Sequence, residues 1–247
     1  MKLLLDAGNT SVKWGVCHAG VIEASSCFRH RGNDVQALAT RSWSELQTPS
    51  AVYISNVAGE PLQQQLSDWI GVHWQIMPVF ITATAAACGV SNAYSVPENL
   101  GVDRWAALLG AHHQTPGTTC IIDCGTAITL DLLDATGQHR GGLILPGAVM
   151  LQHMLLKNTA INSESRPFAA ASLFSSATEE AVSSGSLYMA AATIDRVVAD
   201  MAAELDTRLQ LVITGGDAGR IQTLLACSAR HDPELVLKGL AILAGDC

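Results

Sequence analysis

Leu3-Leu4-Leu5-Asp6-Ala7-Gly8-Asn9-Thr10 and Cys120-Ile121-Ile122-Asp123-Cys124-Gly125-Thr126-Ala127 are two copies of one pattern. In each, a short apolar run reads as a buried strand and stops at an aspartate. A glycine two residues later permits a tight turn and lets a ligand approach the backbone. Backbone N–H groups in such a turn form a nest for phosphate without large positive charge, and Asn9, Thr10 and Thr126 add side-chain donors. An aspartate cannot bind phosphate directly, so Asp6 and Asp123 are expected to hold Mg²⁺, another cation or a water. Lys13, in the strand after the first loop, can reach a phosphate as a point charge.

The two aspartates stand 117 residues apart in a chain of 247. Outward from the first loop, Val12, Trp14 and Val16 alternate as a strand, and Ala19-Gly20 turns into a third strand carrying Val21, Ala24 and Cys27. Residues 33–46 read as a helix, 51–55 as a strand, 61–70 as a helix with Pro near its start, and 78–81 as a strand. The second half begins again with strands over 118–122 and 127–133 and a third ending at 143–145. A helix from Pro146-Gly147 to Lys157, a long Ala-rich helix over 178–205, a strand over 211–214 and two short helices follow. A repeat on this scale predicts two similar α/β lobes facing across a cleft, divided as 1–112 and 113–247, with a helix from Asn99 to His113 joining them.

Hydrophobic residues make up 49% of the chain and charged residues 15%, enough for a sizeable core and too little charge for solvated tails. Fourteen basic against 22 acidic residues give a net charge of −8, which argues against a nucleic-acid or anionic-membrane partner. No apolar run is long enough for a membrane span and the N-terminus lacks a signal-peptide pattern, so a cytoplasmic location is expected. Seven cysteines without a C-x-x-C read as reduced thiols, Cys124 among them as a buried, inert one. The loops are neither a Rossmann fingerprint nor a Walker loop, because G-x-G-x-x-G and G-x-x-x-x-G-K-[ST] are absent.

Two further segments carry chemistry. Leu211-Val212-Ile213-Thr214-Gly215-Gly216 is a buried strand ending in glycines, a surface on which a planar group such as adenosine can lie. Asn99-Leu100-Gly101-Val102-Asp103-Arg104 opens a helix just after the aromatic turn Asn92-Ala93-Tyr94. There a carboxylate can accept a hydroxyl proton and a guanidinium can fork onto a substrate carboxylate.

Asp6-Ala7-Gly8-Asn9-Thr10 with Lys13, Gly101-Val102-Asp103-Arg104, Asp123-Cys124-Gly125-Thr126-Ala127, Thr214-Gly215-Gly216 and Leu235 to Leu240 together resemble the type III pantothenate kinases, from residue 2 to about 240. The resemblance implies an α/β fold of two ribonuclease H-like (actin-like) lobes, each a mixed sheet flanked by helices. It implies ATP-dependent phosphorylation of pantothenate, the first step of coenzyme A biosynthesis, in a homodimer. By the same resemblance Asp6, Ala7, Gly8, Asn9, Thr10, Ser11, Val12, Lys13 and Thr126 bind ATP, and Tyr94, Gly101, Val102, Asp103, Arg104 and Thr178 bind pantothenate. Asp103 is then the proton acceptor, Asp123 holds a monovalent cation (K⁺ or NH₄⁺), and Asp6 holds Mg²⁺ directly or through water. Ile128 departs from the polar or small residue usual after Gly-Thr-Ala. Thr178-Glu179-Glu180 also reads as a helix N-cap with an acidic first turn. Two other readings fit the phosphate loops: another small-molecule kinase of this superfamily, such as a sugar kinase, and a non-catalytic nucleotide-binding regulator. The first leaves Gly-x-Asp-Arg unexplained, and the second has no need of Asp6, Asp103 and Asp123 together.

Overall fold

Leu3, Leu4 and Leu5 are fully buried in β1 (Lys2–Ala7), because this strand is the middle one of five and is covered on both faces. Its neighbours are β2 (Ser11–His18), antiparallel, and β4 (Ala51–Asn56), parallel; β3 (Val21–Arg29) and β5 (Val79–Phe80) complete the order β3-β2-β1-β4-β5. The structure is a computed structural model and describes residues 1–161 and 171–245.

The second sheet repeats the plan. It comprises β8 (Thr119–Cys124), β9 (Ala127–Leu133), β10 (His139–Pro146), β11 (Gln210–Thr214) and β12 (Arg230–His231), in the order β10-β9-β8-β11-β12. Each sheet is thus mixed: its central strand pairs antiparallel with the next strand in sequence and parallel with the fourth. Helices flank both, as expected from the repeat. Between the sheets in sequence lies a two-residue hairpin, β6 (Ala86–Ala87) with β7 (Val90–Ser91), too short to show a period.

The chain falls into two compact units. One holds Met1–Gln114, Thr136–His139 and Glu234–Cys247; the other holds Thr115–Ala135 and Arg140–Pro233. The first unit runs unbroken to Gln114, and two later segments return to it. The reason for one is local. Helix α3 (Val102–Gln114) is crossed by the last helix, α7 (Leu235–Leu243), so closely that a Cβ added to Gly239 would lie 1.8 Å from the Ala106 carbonyl oxygen, and one on Gly110 would lie 2.5 Å from the Leu235 oxygen. Reciprocal glycines bring these backbones together and bury the apolar face of each helix.

The first unit's core is rich in tryptophan. Helices α1 (Val35–Trp43) and α2 (Glu60–Trp74) pack on the sheet through Trp43, Trp69 and Trp74, whose ring centroids lie 4.9–6.2 Å apart, with Phe28 5.5 Å from Trp43. Edge-on and tilted geometries of this kind add about 0.5–1.5 kcal/mol per pair beyond area burial. The second unit's core is aliphatic, built from Ile122, Leu130, Ile194 and Ile213 under the long helix α5 (Thr178–Glu204). Helix α4 (Ala148–Lys157) begins just after the Pro146-Gly147 pair, with Gly147 as its cap residue, and α6 (Ala218–Gln222) is the first of the two short helices. One expectation is corrected: the cap of α5 is Ala177, not Thr178, and Thr178 is the first helical residue. The acidic first turn of Glu179 and Glu180 favours the helix dipole in its place. Among the described residues no helix is long and apolar enough to cross a membrane.

Candidate active site

In the first unit, strand pairing decides what surrounds Asp6. Lys13 lies directly across the ladder on β2 and Ser55 directly across on β4. Paired residues project on one face of a sheet, so carboxylate, ammonium and hydroxyl share a side. Asp6 is buried, and the Ser55 hydroxyl donates to its Oδ1 at 3.5 Å, a long bond. The turn is closed by the Gly8 N–H donating to the Ser11 carbonyl at 3.1 Å. Its carbonyls are held by residue 30: the His30 ring donates from Nε2 to Gly8 O at 2.8 Å, and the His30 N–H donates to Thr10 O at 3.1 Å. Carbonyl oxygens satisfied by protein donors repel an approaching anion less. His30 is absent from the sequence reading. Its only signal was the β2–β3 hairpin length, which pairs Ser11 with Arg29 and so brings residue 30 to the loop.

The second unit builds the matching arrangement with different groups. Asp123 pairs with Thr129 on β9 and with Thr214 on β11. The Gly125 N–H donates to the Ala127 carbonyl at 3.0 Å, the counterpart of the Gly8 bond. Gly215, at φ +98°, lets β11 turn away so closely that an added Cβ would lie 2.4 Å from Asp123 Oδ1. Gly216 meets nothing within 4 Å. Of the glycine pair, then, the first is required by the Asp123 loop and the second leaves an open backbone face. The Thr214 hydroxyl oxygen is buried and has no hydrogen-bond partner among the described residues. The Asp217 N–H donates to Cys124 O at 2.9 Å, and Gly147 seats α4 against the carbonyls of Gly125 and Thr126.

Tyr94 and the start of α3 meet within the first unit. Asn92 knots the turn: its Oδ1 accepts the Tyr94 N–H at 3.0 Å while its Nδ2 donates to Thr84 O and Pro97 O, each at 3.2 Å. Arg104 is buried, and its Nη1 donates to the Tyr94 hydroxyl at 2.9 Å, with the guanidinium carbon 5.7 Å from the ring centroid. Asp103 is half-buried; its Oδ1 accepts the Arg104 N–H at 2.8 Å and folds back over Gly101, where a Cβ would lie 2.6 Å away. Gly101 is therefore the residue that makes room for the carboxylate. Thr178 lies at the exposed start of α5 in the second unit.

Cys17, Cys120 and Cys124 behave as buried hydrophobes. Burial, with Asp131 and Cys227 adding, pushes the Cys120 thiol up to about 12. Burial also raises Cys124, helped by Asp123 and Asp217. Burial and a bond to Asp195 lift Cys227 to about 11. A thiol so far from ionising is a poor nucleophile. Alkylation of the native protein, read by peptide mapping, is expected to label the exposed Cys27 and Cys88 and to spare Cys17, Cys120 and Cys124 until the chain unfolds. Rapid labelling of Cys124 in the folded protein would contradict this. Cys247 lies outside the described residues.

Two sheets of one strand order, each with an aspartate one residue before the end of its central strand and a glycine turn beyond, define the actin-like fold class. The model of the type III pantothenate kinase family matches residues 2–200. A type III pantothenate kinase from Nitrosococcus oceani is 42% identical over 100% of this chain and 94% of its own length, and one from Halorhodospira halophila is 37% identical over 97% and 96%. This chain belongs to the type III pantothenate kinase family. The fold is shared more widely: a ROK family glucokinase from Streptomyces griseus, solved with glucose and AMPPNP, superposes with a TM-score of 0.52 at 15% identity, covering 98% of each chain.

Proposed function

We propose that the chain transfers the γ-phosphoryl group of ATP to the primary hydroxyl of pantothenate, giving 4′-phosphopantothenate, the first step of coenzyme A biosynthesis. The observation that carries this reading is the grouping of Asp103, Arg104 and Tyr94 at the start of α3, in a chain of this family. It supplies a base for a hydroxyl and a buried guanidinium for a carboxylate, the two ends of pantothenate. A neutral sugar has no carboxylate to justify the second group.

The two aspartate loops take different tasks in this reading, and their partners across the ladder say which. Lys13 opposite Asp6 favours phosphate and disfavours a bare monovalent cation, so Asp6 to Lys13 cradle the ATP phosphates, with Asp6 meeting Mg²⁺ directly or through water. Thr129 opposite Asp123 adds an oxygen instead of a charge, and the Thr214 oxygen is unspent. A carboxylate with neutral oxygens around it suits K⁺ or NH₄⁺, with Thr126 contacting ATP from the same loop. When bound, the cations offset the charge of the transferring phosphates. Asp103 accepts the hydroxyl proton, and Arg104, held by Tyr94, receives the carboxylate. Val102, next to Gly101, completes the pantothenate contacts of the first unit, and Thr178 is assigned to pantothenate by the family resemblance alone. Positioning and electrostatics supply most of the acceleration in such a transfer.

A homodimer fits one further observation. Met150, Met154 and Leu155 on α4, with Leu143 and Ile144 just before it, are exposed apolar side chains on one stretch of the second unit. A second copy of this chain would cover them. The net charge of −8 favours a reading without a nucleic-acid or anionic-membrane partner, and no helix among the described residues is long and apolar enough to cross a membrane.

A coupled ATPase assay with and without pantothenate, run in potassium and in sodium, tests the proposal. Turnover is expected only with pantothenate and is expected to be faster in potassium. Turnover that ignores pantothenate, or a sugar that replaces it, would overturn the substrate assignment.

A further inference from the structure

His139 is fully buried, yet neither the sequence reading nor the proposed mechanism gives it a task. It ends the segment Thr136–His139, which follows a strand of the second sheet but belongs to the first unit. The segment is tied to the turn that carries Tyr94: the Ser91 N–H donates to the Gly137 carbonyl at 2.9 Å, and Ser91 and Gln138 form a parallel bridge. At its end the His139 ring lies nearly parallel to the Tyr94 ring, at 13° and 6.2 Å between centroids. Its Nδ1 accepts the Ala93 N–H at 3.5 Å, and because an amide can only donate, that nitrogen carries no proton in this contact. Tyr94 is thus contacted by the face of a buried imidazole and by the buried Arg104 guanidinium.

We infer that His139 is a positioning residue for the substrate: its ring fixes the plane of Tyr94, and Tyr94 fixes the arm of Arg104 that it accepts from. This rests on the reading that Tyr94 and Arg104 meet pantothenate. A ring free to rotate would no longer hold its hydroxyl 2.9 Å from Arg104 Nη1, so the guanidinium would lose a bond that helps to fix its direction. The cost falls on binding of the acid substrate. ATP binding and the proton transfer at Asp103 do not use this contact.

Two variants separate the ring from its nitrogen. His139→Gln keeps an acceptor for Ala93 and removes the aromatic face; His139→Phe keeps the face and removes the acceptor. The glutamine variant is expected to raise the pantothenate KM about tenfold, with the ATP KM and kcat within about twofold, a pattern of lost ground-state binding. The phenylalanine variant is expected to restore the pantothenate KM to within about threefold. A parallel measurement needs no turnover. The protein has three tyrosines, so ¹³C-tyrosine labelling gives a simple spectrum, with Tyr94 assigned through Tyr94→Phe. Its resonance is expected to move in His139→Gln while Tyr53 and Tyr188 stay. An unmoved Tyr94 resonance, or an ATP KM rising in step with that for pantothenate, overturns the inference. A pantothenate KM raised by more than about threefold in His139→Phe overturns it as well, even where the glutamine variant fails to fold. If the wild type does not act on pantothenate, the substrate assignment fails while the resonance still decides the positioning.

Discussion

Asp103→Asn is expected to lose about two to four decades of kcat, the usual contribution of a positioned general base, while keeping the fold and the affinity for ATP. The substitution is close to isosteric. The asparagine oxygen can still accept the Arg104 N–H now held at 2.8 Å, and it fits over Gly101 as the carboxylate does. What disappears is the ability to take a proton, together with a negative charge in the first turn of α3 worth about 0.3–1 kcal/mol against the helix dipole. A loss of that size lowers the melting temperature of a chain this long by only about 1–4 °C. The two readouts therefore diverge: turnover collapses while the melting curve barely shifts. A kcat near that of the wild type would remove Asp103 from the mechanism.

Gly239→Val is expected to have the largest effect on stability. Intrinsic propensity says the opposite for the milder change: replacing a helical glycine by alanine gains about 1 kcal/mol where nothing else intervenes. At Gly239 the backbone of α3 intervenes, with the Ala106 oxygen, carbon and Cα at 1.8, 2.4 and 2.9 Å from an added Cβ. None of these is the end of a flexible side chain, so the two helices must separate. Gly239→Ala is expected to destabilise, and Gly239→Val to cost about 3 kcal/mol, at the upper end for an overpacked core. That corresponds to a fall in Tm of about 6–12 °C. Gly71, exposed in α2 with nothing within 4 Å, is the control: Gly71→Ala is expected to raise Tm. A rise for Gly239→Ala as well would mean that the crossing of α3 and α7 is looser than described.

Much of this molecule was legible in its sequence, for reasons that can be named. The runs ending at Asp6 and Asp123 are visible because a strand buried on both faces must be continuously apolar, and because a tight turn demands its glycine. The β-β-β-α-β-α-β order of the first half and the long α5 follow from period and composition in the same way. What could not be read was what depends on contact between distant segments. Residues 230–231 are too few to show alternation, so β12 was missed. Thr178 resembled a cap because its neighbours are acidic, but the backbone turns into the helix one residue earlier. Gly215 looked like a platform for a planar group, whereas its nearest demand is the side chain of Asp123, 92 positions before it. The Gly110–Gly239 crossing, His30 on the loop after Asp6 and His139 on Tyr94 are pairings of this kind, which no single stretch of sequence displays.

The return of α7 to α3 sets an order of events during synthesis. The ribosome finishes α3 at Gln114, but the helix that covers its apolar face begins only at Leu235. At 5–20 residues per second the interval lasts about 6–24 s. Throughout it the first unit lacks the helix that packs across α3 at Gly110, while the second unit is being made. The usual rule that the N-terminal half folds first is therefore reversed at its last step: the half made first is the half closed last. A nascent chain stalled before residue 235 carries Asp103 on a helix whose crossing partner, α7, is still missing.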